Sequence, residues 1–144
     1  MKIKEIHFKD TFPVRHSVLR QGKPIETCFF DGDDSDTTTH FGLFDQENCV
    51  GVASIYKNKN TIFNNNEQYQ LRGMAVLEEF QKKGLGEQLV MHAENYIRLT
   101  QGELLWFNAR VAAVPFYERL SYQKIGSSFD IPDVGPHFLM AKEF

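Results

Sequence analysis

The segment Gln81-Lys82-Lys83-Gly84-Leu85-Gly86 has the residue types and spacing of a phosphate-binding turn. It opens into a run with helical periodicity, and the first turn of a helix carries N–H groups without intrahelical partners and a partial positive charge. Gly84 and Gly86 let a ligand approach the backbone closely, and Lys82 and Lys83 add cations. Together these features suit a phosphate or pyrophosphate. The plain alternative is a helix start with an incidental glycine pair and solvated lysines. Two familiar nucleotide patterns do not match. GxxxxGK followed by Ser or Thr is absent, and Leu89 stands where a dinucleotide fingerprint needs its third glycine.

The elements that must position this turn are legible on both sides of it. Leu85, Leu89, Val90, Ala93 and Ile97 recur on one face of a helix over 85–99, with Glu87, Gln88, Glu94 and Arg98 facing away. Gly102 stands where a C-terminal glycine cap belongs. Before the turn, QYQLRGMAV (68–76) reads as a strand. HFGLFD (40–45) and CVGVASIY (49–56) form a hairpin across Asp45 to Asn48, and 58–66 is an asparagine-rich loop. The chain opens with a short strand over 2–8. A helix follows, capped by Thr11, with Pro13 in its first turn, Val14, Val18 and Leu19 on one face, and Gly22 at its end. After Leu99 come a buried strand (104–107), a helix from about Val114 to Leu120 and strands at 122–127 and 138–142, with SFDIPDVGP as the loop between. This order predicts an α/β (α+β) fold, a mixed and mostly antiparallel sheet with helices on both faces, over residues 1–144 as one domain.

Composition narrows the function classes. The chain has 144 residues, 42% apolar and 24% charged, which is ordinary globular usage, and thirteen phenylalanines supply an aromatic core. No stretch reaches the length of a membrane span. The net charge of −3 gives no reason to expect nucleic acid or an anionic membrane as partner. The start is charged and lacks the apolar region of a secretory signal, so a reducing cytoplasm with Cys28 and Cys49 as free thiols is expected. His7, His16, His40, His92 and His137 share no ligand spacing, and no metal is expected.

LRGMAVLEEFQKKGLGEQLV resembles the acetyl-coenzyme A motif of the GNAT family of N-acetyltransferases: a strand ending in Val76, a short acidic link, Gln81, Gly84 and Gly86, then a helix. LLWFNARVAAVPFYERLSYQKIG is similar to the family's second motif, with Asn108 and Tyr117. The likeness runs from about His40 to Phe144. SFDIPDVGPHFLMAK is similar to a subgroup of small bacterial acetyltransferases of unassigned substrate. The resemblance implies a GNAT fold, with two central strands splayed apart. It also implies roles. The backbone of Met74, Ala75 and Val76 pairs with the pantetheine arm. Amides from Gln81 through Lys82, Lys83, Gly84 and Leu85 to Gly86 hold the pyrophosphate. Asn108 bonds the pantetheine amide, and the Tyr117 phenol protonates the departing thiolate. A strand N–H near Val76 stabilises the oxyanion. Each residue also has a bland role: strand core for Met74 and Val76, a loop cap for Asn108, core packing for Tyr117. Where the family has Gly-Phe after the Tyr-bearing helix, this chain has Ser121-Tyr122, so Ser121 must adopt a helix-ending conformation that glycine accepts more easily.

An amine nucleophile must lose a proton before it attacks a thioester. Candidate bases are His137, Glu78, Glu79 and His40, with a water relay as the alternative. The acidic run Asp31, Asp33, Asp34 and Asp36 is either a solvated loop or a lure for a cationic acceptor such as a polyamine; it lacks the spacing of a calcium loop. The expected activity is acetyl transfer from acetyl-coenzyme A to a small-molecule or peptide amine. A non-catalytic acyl-coenzyme A sensor and a nucleotide-binding protein of another fold are the competing readings, and a homodimer stays open.

Overall fold

A computed structural model describes every residue from Met1 to Phe144. Strands β1 (Lys2–Ile6), β2 (Thr39–Asp45), β3 (Asn48–Tyr56), β4 (Gln68–Val76), β5 (Leu104–Arg110), β6 (Gln123–Ile131) and β7 (Gly135–Glu143) form one sheet in the order β1-β2-β3-β4-β5-β7-β6. All neighbours are antiparallel except β4 and β5. That parallel pair is joined only from Gln68↔Leu104 to Gln70↔Trp106. Beyond it both strands continue, β4 to Val76 and β5 to Arg110, without pairing to each other, so the middle of the sheet is splayed.

Helices cover both faces. Alternation along the strands decides which residues meet them. Helix α2 (Leu85–Leu99) buries Leu85, Leu89, Val90, Ala93 and Ile97 against Phe41, Leu43, Ile55, Leu71, Leu105, Phe107 and Met140. Helix α3 (Val114–Arg119) joins that core through Val114 and Tyr117. On the opposite face, Val14 of α1 (Phe12–Leu19) packs on Val52 and Ala75, with Val18 and Leu19 at its margin. No helix is long and apolar enough to cross a membrane.

Several local expectations are corrected. The Thr11 hydroxyl does not cap α1; it donates back to Phe8 O at 2.6 Å and closes a 3-10 turn over Phe8–Thr11. Helix α1 stops at Leu19, and Gly22, with φ 79°, lies in the turn beyond. Gln101, not Gly102, takes the left-handed conformation after α2 (φ 63°). Gly102 is needed for space, because a Cβ there would lie 2.4 Å from Ile97 Cγ2. Glu94 does not face solvent: it is buried and accepts from the Tyr122 hydroxyl at 2.7 Å and Lys142 Nζ at 3.1 Å. Strand β5 is three residues longer than its apolar run. The segment 128–136, expected as a loop, is mostly strand, because β6 and β7 form a long hairpin with a bulge between Ile125 and Phe129.

Ser121 does take the left-handed conformation, with φ 73°. An L-residue there is strained by roughly 1–2 kcal/mol, part of which glycine forfeits through its greater freedom when unfolded. Ser121→Gly is therefore expected to raise stability by about 0.5–1 kcal/mol, read as a higher denaturant midpoint at unchanged slope.

Candidate active site

The splay is lined on one side by Met74, Ala75 and Val76 of β4. Below them the chain makes a 3-10 turn (Glu78–Phe80) and enters the glycine segment. The Gln81 side chain donates from Nε2 to Val76 O at 2.8 Å, and its backbone N–H donates to Glu78 O. These two bonds tie the turn to the end of β4. Lys82 and Gly84 both have positive φ, 62° and 78°, and Gly84 is the residue that starts α2. Lys82, Lys83 and Gly84 donate no backbone hydrogen bond. The next three N–H groups, of Leu85, Gly86 and Glu87, belong to the first turn of α2 and lack partners by helix geometry. The alternation of left-handed residues turns this run of amides into an anion-binding concavity at the positive end of the helix.

A cavity of about 670 Å³ connects this run to the splay. Of the residues singled out in the sequence, Met74, Ala75, Val76, Gln81, Lys82, Gly84, Leu85 and Gly86 line it. Lys83, Asn108, Tyr117 and His137 do not. Lys83 extends over the Phe80 ring at 5.5 Å. Helix α3 and the residue that ends it contribute wall residues that the motifs do not mark: Phe116, Arg119 and Leu120. Their i, i+3, i+4 spacing is the signal that places them on one helix face. Val18 at the end of α1 is also in the wall, so the cavity runs through to the α1 face of the sheet.

Tyr117 stands beside this wall and turns into the core. Its ring lies 4.2 Å from Phe107, 4.9 Å from Phe116 and 6.0 Å from Tyr122. Burial pushes its phenol well above the ordinary tyrosine range, so it holds its proton at neutral pH. Its hydroxyl has no hydrogen-bond partner. The single fully sealed side-chain polar atom without a partner is Arg15 Nε, so the Tyr117 oxygen keeps contact with accessible space.

Asn108 and His137 lie on the other face. Along β5, Trp106 and Asn108 share a side opposite Phe107, and β7 places His137 with Leu139 and Ala141 on that same side. Asn108 is exposed. His137 is buried, and its Nδ1 bonds Gly135 O at 2.8 Å. A carbonyl only accepts, so Nδ1 carries the proton and Nε2 is the free lone pair of the neutral ring. Glu78 and Glu79 are exposed in their turn. Both ring nitrogens of His40 are engaged, Nδ1 with Ser54 Oγ at 2.6 Å and Nε2 with Asp33 O at 2.8 Å, which makes it a structural group; burial lowers its pKa.

The family model described as "Acetyltransferase (GNAT) family" matches residues 3–122. The chain belongs to the GNAT acetyltransferase family. As a GNAT protein it is an acyltransferase, and the splay between β4 and β5 is the family's architecture present in this chain. It is 32% identical over 142 residues to the uncharacterized N-acetyltransferase YitI of Bacillus subtilis (strain 168), covering 99% of this chain and 95% of that protein. Among solved structures it is similar to an aminoglycoside 6'-N-acetyltransferase complexed with coenzyme A (TM-score 0.80, 15% identity, 99% and 97% of the two chains). Escherichia coli ElaA has a similar fold (TM-score 0.72, 16% identity, 99% and 99%). At these identities the structures bear on the GNAT fold.

Proposed function

We propose that this GNAT protein transfers an acetyl group from acetyl-coenzyme A to a primary amine by direct attack, with Tyr117 as the acid. The observation that carries the donor assignment is the unbroken run of free amides from Lys82 to Glu87 at the mouth of a cavity that leads into the splayed sheet. A diphosphate suits the amides and the Lys82 cation. An extended amide-bearing arm suits the side of β4 that faces β5 beyond Gln70, where the two strands no longer pair. Phe116 and Leu120 supply apolar wall, and Arg119 supplies a further cation. Asn108 of β5, outside the cavity wall and exposed, would have to turn toward the arm to bond it.

The bound donor supplies an activated acetyl carbon on a sulfur leaving group. The amine nitrogen forms the new C–N bond to that carbon, the C–S bond breaks, one proton leaves the nitrogen and one is added to the sulfur. His137 Nε2 is the lone pair available on the α1 face to take the first proton. The Tyr117 hydroxyl on the opposite face gives the second. A β4 N–H near Val76 faces the carbonyl oxygen as charge develops there.

Gly86 tests the donor site apart from the chemistry. A Cβ there would sit 3.3 Å from Met74 Cε and 3.5 Å from Phe116 Cζ, inside the cavity. Gly86→Leu is expected to fill the channel and weaken acetyl-coenzyme A binding at least ~30-fold while the fold is kept, since helix propensity favours Leu over Gly. Calorimetric titration with acetyl-coenzyme A reads this. Undiminished affinity would move the donor elsewhere. Release of free thiol across a panel of amines tests transfer itself.

A further inference from the structure

On the α1 face, close in sequence to the cavity-wall residues Val18 and Met74, three guanidinium groups surround one buried aromatic ring. Arg15, Arg20 and Arg72 lie 4.1, 4.9 and 5.3 Å from the centre of the Phe30 ring. Arg15 is neutralised. It is fully buried and holds Asp33 through Nη1 at 2.6 Å and Nη2 at 3.2 Å. Arg20 and Arg72 have no carboxylate within 4 Å. Each makes a single hydrogen bond, to a backbone carbonyl: Arg20 Nη1 to Leu19 O at 3.0 Å, Arg72 Nη1 to Asp31 O at 2.9 Å. Most of their N–H donors are therefore free, in the fork that suits a planar oxyanion.

Their position ties them to the reaction. Arg20 follows the wall residue Val18 by two positions, where α1 ends. Arg72 precedes the wall residue Met74 by two, across the left-handed Gly73 bulge (φ 66°), and also lies over Tyr56 on the α1 face at 4.9 Å. With the donor's phosphates held at the α2 end, the acceptor must approach from this face. The acidic run that could draw a cation is weakened here, because its one buried carboxylate, Asp33, is committed to Arg15.

We propose that the acceptor is an amine that also carries an oxyanion, bound by Arg20 and Arg72, which the buried Phe30 ring holds in place, while its amino group reaches the thioester. This rests on the transferase reading above. A carboxylate and a phosphate monoester present the same chemistry to two guanidiniums, and paired acceptors separate them.

The test uses the full chain with acetyl-coenzyme A and matched pairs: α-amino acids against their carboxamides, O-phosphoethanolamine against ethanolamine, and spermidine as the cationic contrast. The charged member of one pair is expected to have kcat/KM at least ~10-fold above its neutral partner. Arg20→Gln and Arg72→Gln should each raise KM for that acceptor by about 10-fold and erase the preference, with KM for acetyl-coenzyme A unmoved. Spermidine or the carboxamides as best substrates, or a preference that survives the double variant, would overturn the assignment. Calorimetry with an N-acetyl amino acid and its amide reads the anion site without turnover. Tighter binding of the acid, lost in the double variant, with no transfer to any amine would sink the transferase reading and leave the anion site standing. Transfer without charge preference would do the reverse.

Discussion

Replacing Tyr117 by Phe is expected to lower kcat at least ~100-fold while acetyl-coenzyme A affinity and thermal stability stay near wild type. The size follows from the proposed acid role, in which the variant removes a positioned proton donor and nothing else. The hydroxyl makes no hydrogen bond within the protein, so its loss leaves no partner stranded in the core. The ring contacts with Phe107, Phe116 and Tyr122 are kept by Phe. Burial raises the Tyr117 pKa, which by itself makes the phenol a weaker acid. In the proposed reaction the same poorly solvated surroundings would act on the thiolate leaving beside it and raise its demand for a proton, so transfer would be driven as charge develops on sulfur. Because the phenol is protonated throughout the working range, the rate should show no inflection from Tyr117 between pH 6 and about 9. Single-turnover kinetics with purified Tyr117→Phe, beside calorimetry with the donor, read the two quantities separately. A full-speed variant removes Tyr117 as the acid and leaves water as the proton source.

The parts of the site that were legible in the sequence depend on local geometry. The glycine turn and α2 are specified within a few residues of each other, and the structure begins and ends the helix where the apolar period does, at Leu85 and Leu99. The same is true of β4 and of the strained Ser121. Illegible features come from pairing across long separations. Arg15 lies one residue off the apolar face of α1 and looks like a solvated charge. It is fully buried because Asp33, Ser54 and Tyr56 converge on it from other elements. Glu94 looks like the outer face of α2 until Tyr122 and Lys142 arrive from the far end of the chain. Strand β5 outran its apolar run because Asn108 and Arg110 are held by register with Leu139 and His137 of β7, not by their own burial. The guanidiniums around Phe30 likewise come from two distant segments, α1 with its end and β4, and no spacing along the chain announces that they meet.

Asp33→Ala is expected to cost about 3–5 kcal/mol, because it strands a buried guanidinium. On a chain of this size that lowers Tm by roughly 10 °C or more. The Asp33 carboxylate accepts from Arg15 Nη1 and Nη2, from the Tyr56 hydroxyl and from Phe30 N at 2.8 Å. Removing it leaves Arg15 with Cys28 O at 2.8 Å, Ser54 Oγ at 3.0 Å and Tyr56 OH at 3.3 Å as its remaining partners, and none carries charge. Filling the site instead should recover most of the loss: Arg15→Met with Asp33→Leu replaces the pair by apolar volume. The pH dependence separates ion pairing from packing. Burial alone would raise the Asp33 pKa, but the hydrogen bonds from Arg15, Tyr56 and Phe30 outweigh it and hold the carboxyl below the usual range. A depressed folded pKa contributes stability that is full above the unfolded value of about 3.9 and is lost as pH falls through the folded value. Wild type should therefore lose stability below about pH 4 more steeply than the apolar double variant, in denaturant midpoints measured from pH 7 down to pH 3. Parallel curves would mean that the pair contributes shape and no charge-linked stability. Phe30 N donates to Asp33, so the single variant should also loosen the Phe30 ring and the Arg20 and Arg72 side chains around it, which are proposed above to hold the acceptor. KM for the amine should then rise before KM for the donor does.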